Sequence, residues 1–192
     1  SSTTIRIGYV GRFVPEKGID LLISALARLP GNTRLVLVGD GSARDSLERL
    51  SNTLGIADRI EWIESVPPSQ LPNIYRSLDI LVLPSRTMPN WQEQFGRVLV
   101  EAMACGVPVV GSDCGAIPEV IGDAGLIFPE CDREALASCL NHLIDSESLR
   151  HQYATRGRER VLQFYTHDQC AQVLDSALRN SSPEDRGRLG RG

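Results

Sequence analysis

Short apolar runs alternate with stretches whose apolar residues recur every three or four positions, and the alternation persists through most of the chain. Residues 5–10 form an apolar-rich run that predicts a strand. A polar loop follows at 11–18. Ile19, Leu22, Ile23 and Leu26 then repeat at helical spacing until Pro30-Gly31-Asn32 stops the helix. Residues 35–38 are a continuous apolar strand turned by Gly39-Asp40-Gly41, and a second helix runs to about Leu54 with Leu47 and Leu50 inward. Strands are expected at 60–63 and 79–83, separated by the turn at 66–69 and a short helix through Ile74 and Tyr75. After Pro84 a polar loop leads to a helix starting near Phe95 or Gly96, and residues 107–110 close that unit as a fifth strand. A loop with a short helix at 115–121 and a last strand at 125–128 complete the alternation. Helical spacing covers 132–143, about 146–164, and 166–178.

Apolar strands alternating with amphipathic helices predict an α/β fold, a doubly wound, Rossmann-like sheet of six parallel strands covered on both faces. In such sheets ligands sit beyond the carboxyl ends of the strands. The polar, glycine-punctuated loops after Val10, Val38, Leu83 and Val110 all fall there.

With 192 residues the chain can bury one substantial core, so a single domain with C-terminal helices is expected. Residues 1–4 read as a linker. Residues 181–192 have almost no apolar side chain and read as a disordered tail. A net charge of −4 and only 5% aromatic residues argue against a nucleic-acid binder, while leaving room for a local phosphate pocket. Five cysteines (105, 114, 131, 139 and 170) without a C-x-x-C pair fit reduced thiols of a cytoplasmic protein better than disulfides or a zinc site. No apolar run reaches the roughly 18 residues that crossing a bilayer requires. His142, His151 and His167 lack metal-ligand spacing, and no metal site is expected.

Candidate chemistry gathers in two stretches. Glu93 and Glu101 flank seven residues, and Glu101 interrupts the apolar run of Val98, Leu99, Val100, Ala102, Met103 and Ala104. A carboxylate among such neighbours needs solvent or a partner. Two readings stay open: an i,i+4 ion pair with Arg97, and a ligand-binding carboxylate in a cleft. The other stretch is the first loop, where Arg12 and Lys17 lie between Gly11 and Gly18. A planar fork and a point charge suit a diphosphate, although by itself the loop reads more simply as a solvated turn. Gly39 and Gly41 open a G-x-G pattern whose third glycine is replaced by Arg44, so a tight turn is the plainer reading. Phe95, Gly96 and Arg97 offer backbone amides at a helix start, which favours an anion. The Phe95 ring itself fits a core position.

Glu93-Gln94-Phe95-Gly96 followed by Glu101-Ala102-Met103-Ala104-Cys105-Gly106-Val107-Pro108 resembles the E-x7-E signature of the family 4 retaining glycosyltransferases, built on the two-domain GT-B fold. The Gly11-Arg12…Lys17-Gly18 loop resembles a second signature of that family, far away in sequence. Gly115-Ala116-Ile117-Pro118-Glu119 resembles its G-G-x-P-E element. Gln94, Arg97, Ala116 and Glu64 depart from the commoner residues. The resemblance covers about residues 5–180 and corresponds to the C-terminal, donor-holding half of such an enzyme. It implies a nucleoside-diphosphate sugar as donor substrate and no separate cofactor. Arg12, Lys17 and Glu93 would serve catalysis. Gly11, Arg12, Lys17, Gly39, Gly41, Phe95, Gly96, Arg97 and Glu101 would bind the donor, with Glu101 on the ribose and Glu93 on a sugar hydroxyl. The other partner would be a missing N-terminal acceptor domain, so this half alone should transfer no sugar. Peripheral membrane association of the whole protein is compatible with the family, as is a part in polysaccharide biosynthesis. Two alternatives share the architecture: one half of a GT-B nucleotide-sugar epimerase, and a non-catalytic nucleotide-binding module.

Overall fold

The computed structural model describes residues 4–166. The helix expected at 166–178 and the tail expected at 181–192 lie outside them, apart from Thr166. Six parallel strands form one sheet: β1 (Ile5–Val10), β2 (Thr33–Val38), β3 (Ile60–Ile63), β4 (Ile80–Leu83), β5 (Val109–Ser112) and β6 (Gly125–Phe128). Their order is β3-β2-β1-β4-β5-β6. Among the described residues seven α-helices connect or follow them: α1 (Ile19–Leu26), α2 (Arg44–Thr53), α3 (Leu71–Arg76), α4 (Arg97–Ala104), α5 (Ile117–Ile121), α6 (Arg133–Asp145) and α7 (Glu147–Phe164). Helix α1 packs with α2 and α6, and α4 packs with α3, α5 and α7, so both faces of the sheet are covered.

The continuous apolar runs are explained by that double cover. Ile7, Leu35, Leu37, Ile80, Leu81, Val82, Val109 and Val110 are fully buried, whichever face they point to. The expected fold class is therefore the observed one.

Several boundaries moved, each for a local reason. The fifth strand begins at Val109, not Val107, because Val107 still donates its N–H to Ala102 O (3.0 Å) as the helix unwinds. Pro108 follows with no N–H to give; its carbonyl instead accepts from Leu81 N at 2.9 Å. Helix α1 stops at Leu26 because Arg28 and Leu29 tighten into i,i−3 hydrogen bonds. Strand β2 starts two residues earlier than its apolar run, since Thr33 and Arg34 are in register with Ile5 and Arg6. After β6, Asp132 and Ser146 accept from Ala135 N and Leu149 N through their side chains and so cap the starts of α6 and α7.

What positions a site is the reversal of direction in the strand order. From β1 the chain winds outward through β2 to β3, then returns to lay β4 on the other side of β1. Strands β1 and β4 pair through Ile7–Ile80 and Gly8–Leu81, and the loops leaving them diverge. The crevice between those loops is where a doubly wound sheet takes its ligand.

Candidate functional site

The loop after β1 carries Arg12 and Lys17; the loop after β4 carries Glu93. The fold brings them together at the switch point. Lys17 Nζ lies 2.6 Å from Glu93 Oε2, although 76 positions separate the two residues. The pair is largely shielded from water, with side chains 16% and 11% exposed. Ser85 Oγ, buried just after β4, donates to the same Glu93 oxygen at 3.0 Å, and Ser112 Oγ donates to Ser85 O at 2.5 Å. Among the described residues Glu93 Oε1 accepts no hydrogen bond, so one oxygen is anchored and the other is available. On the far side, Lys17 Nζ sits 4.9 Å from the centroid of the Trp91 ring, a cation–π contact. Trp91 is held there by a tight turn in which Met88 and Trp91 exchange backbone hydrogen bonds.

Tyr9 ties Arg12 into the same neighbourhood. Its fully buried phenol donates to Arg12 O at 2.8 Å. Burial raises its pKa far above the ordinary tyrosine range, the Glu93 charge raises it further, and Arg12 opposes both. The Arg12 guanidinium is exposed and forms no ion pair among the described residues. Arg12, Gly11 and Gly39 line a pocket of about 230 Å³ at the ends of β1 and β2, closed by Asp40, Ser65, Val66 and Leu71. A Cβ on Gly39 would stand 1.9 Å from Gly11 O, so the two loops touch backbone to backbone and only glycine fits. Gly41 packs against the Phe13 backbone and does not line that pocket, so the tight-turn reading holds for it.

Helix α4 starts at Arg97 behind Gly96, which adopts φ 76° and ψ 50°, and no side chain caps it. Its amides therefore point toward the crevice unsatisfied by a cap, a favourable setting for negative charge. Phe95 is not the core aromatic its residue type suggested. The residue is 43% exposed, and its ring meets that of Tyr165 edge-on at 5.7 Å, just before the left-handed Gly96 that begins α4.

Glu101 lies further along α4 and touches none of Arg12, Lys17 and Glu93. The i,i+4 pair with Arg97 is present, Nε to Oε1 at 3.2 Å. A second partner was not legible in the sequence: Tyr75 on α3 donates its hydroxyl to Glu101 Oε2 at 2.7 Å. The Gly115–Glu119 element supports Glu93 indirectly, since Ala116 N donates to Glu93 O at 3.0 Å. Ser85, Trp91, Tyr9 and Tyr75 were thus missed as site residues. The larger cavity of about 660 Å³ between α1 and α6 is lined by Asp20, Glu130, Asp132 and Glu134 among others, and it would repel a diphosphate. Among the described residues no helix is long and apolar enough to cross a membrane.

A sequence profile of the glycosyl transferases group 1 family matches residues 1–160. The chain belongs to that family. The D-inositol 3-phosphate glycosyltransferase of Mycolicibacterium smegmatis is 36% identical over 148 residues, covering 73% of this chain and 33% of the relative. Among solved structures, sucrose-phosphate synthase from Thermosynechococcus elongatus superposes with a TM-score of 0.81 at 28% identity, over 94% of this chain and 47% of that one. Anabaena HepE, solved in complex with UDP, gives 0.80 at 27% identity, over 91% and 49%. The group 1 domain described above has the GT-B architecture of these neighbours and spans about a third to a half of their lengths.

Proposed function

We propose that this chain is the donor-binding domain of a retaining family 4 glycosyltransferase, with residues 5–180 as the domain and a nucleoside-diphosphate sugar as its substrate. The observation that carries the reading is the Lys17–Glu93 pair, which joins two family signatures at the crevice of the sheet. The UDP complex of Anabaena HepE, a neighbour of the same fold, adds support.

The ligand would lie along one line of contacts. The 230 Å³ pocket beside Leu71 takes the base. Helix α3 leads from Leu71 to Tyr75 and so to Glu101, which accepts hydrogen bonds from the ribose hydroxyls. The diphosphate meets the Arg12 guanidinium, Lys17 and the amides at the start of α4. Glu93 Oε1 accepts from a hydroxyl of the sugar. Transfer breaks the bond between the anomeric carbon and the phosphate oxygen while the acceptor oxygen bonds the same face. The electron pair stays on the leaving phosphate, which takes up the acceptor's proton. Negative charge grows on that phosphate, and preorganised cations and amides stabilise it best where water is excluded. Lys17, already held by Glu93, Ser85 through Glu93, and Trp91, needs little reorganisation to serve there. The acceptor site belongs to the half of the enzyme outside this chain, so the isolated domain binds donor and transfers nothing.

The test is nucleotide binding. UDP, GDP or ADP raises the melting temperature, and Glu101→Ala weakens the preferred nucleotide by roughly 10- to 150-fold in titration calorimetry, the worth of one charge-assisted hydrogen bond. Unchanged affinity in that variant rejects the ribose role.

A further inference from the structure

Glu101 is held by two partners that differ in how easily they let go. Tyr75 is 1% exposed, its ring packed within the core, and its hydroxyl reaches Glu101 Oε2 at 2.7 Å. Arg97 is 80% exposed along its side chain and reaches Oε1 at 3.2 Å. Rotating Arg97 into water disturbs no packing, whereas withdrawing Tyr75 would open the core beneath α3. We propose that Tyr75 is a positioning residue for nucleotide recognition: it fixes Oε2, and so the orientation of the Glu101 carboxylate, while Oε1 is the oxygen that exchanges Arg97 for a ribose hydroxyl. The inference rests on the reading of Glu101 as the ribose ligand.

Two further observations agree. Burial, together with the hydrogen bond to Glu101 and that residue's charge, raises the Tyr75 pKa far above the ordinary tyrosine range, so the phenol stays a neutral donor at any working pH. Helix α3 also supplies Leu71 to the wall of the 230 Å³ pocket, so the residue that orients the carboxylate sits on the element that shapes the base site. A hydroxyl that merely satisfied itself against the nearest carboxylate would have no consequence for which sugar of the nucleotide is accepted.

That difference sets the experiment. The dissociation constants of UDP and 2′-deoxy-UDP (or the guanosine pair, if GDP binds tighter) are measured on the whole chain and on three variants. In the unsubstituted chain the ribonucleotide binds tighter, and Glu101→Ala removes the preference. Tyr75→Phe, which keeps the ring, lowers the ribo-to-deoxy ratio by roughly 5- to 10-fold, about the value of one well-oriented hydrogen bond. Arg97→Leu holds the ratio at its starting value or raises it, because the competitor for Oε1 is gone. A ratio untouched in Tyr75→Phe but lost in Glu101→Ala overturns the role of Tyr75 and leaves the ribose reading intact. A ratio untouched in Glu101→Ala overturns the ribose reading itself. Should Tyr75→Phe not fold, Arg97→Leu decides: loss of the ratio there makes Arg97 the orienting residue and ends the proposal.

Discussion

Glu93 and Glu101 occupy one short sequence pattern, and the fold gives them opposite environments. Glu93 is nearly buried, and its partners Lys17 and Ser85 both attach to one oxygen, leaving Oε1 unengaged among the described residues. Glu101 is 32% exposed along its side chain, and each oxygen has its own partner, one from the core and one from the surface of its own helix. The first carboxylate is thus part of the joint between two loops at the switch point. The second sits nearer the surface, and its outer partner, Arg97, is 80% exposed along its side chain. A motif that reads as two equivalent acids contains one residue the crevice depends on structurally and one it does not.

Given that contrast, removing the two acids should not cost the same. Glu93→Ala leaves Lys17 charged and largely buried without its counter-ion, and should lower unfolding stability by about 3–5 kcal/mol. Glu101→Ala deprives Tyr75 of an acceptor close to solvent and should cost about 1–2 kcal/mol. Urea midpoints of the two variants provide the check, and equal losses would erase the distinction. The smallest effect concerns the tyrosines. The folded pKa values of Tyr9 and Tyr75 are raised, so the folded state holds their protons more tightly than the unfolded chain does. Their contribution is fully present below the unfolded value of about 10 and declines as pH rises above it. Melting temperature should therefore fall more steeply with alkaline pH in the unsubstituted chain than in Tyr75→Phe, and parallel slopes would show that the Tyr75–Glu101 contact is weaker than its 2.7 Å length implies.

Part of the candidate site is legible in the sequence, and for a definite reason. Arg12, Lys17, Glu93 and Gly96 lie on loops at strand ends, where a polar residue has no packing duty and its presence is informative. Ser85, Trp91 and Tyr75 were not readable, because each is ordinary for its place: a serine after a strand, a tryptophan in a turn, a tyrosine on the inner side of a short helix. Their roles come from neighbours eight, 74 and 26 positions away, namely Glu93, Lys17 and Glu101. Phe95 shows the converse error. Aromaticity suggested the core, whereas the residue is 43% exposed beside the left-handed Gly96, with its ring against Tyr165.

The sequence by itself determined the alternation of strands and helices and the six-stranded parallel sheet, because those follow from local periodicity and from the need to bury continuous apolar runs on both faces. Tertiary structure alone decided which charges neutralise one another, which oxygen of each carboxylate stays available, and where β5 begins. Pairing and orientation at that level depend on ångström-scale distances between loops that are far apart along the chain, and a pattern of residue types carries no such distances.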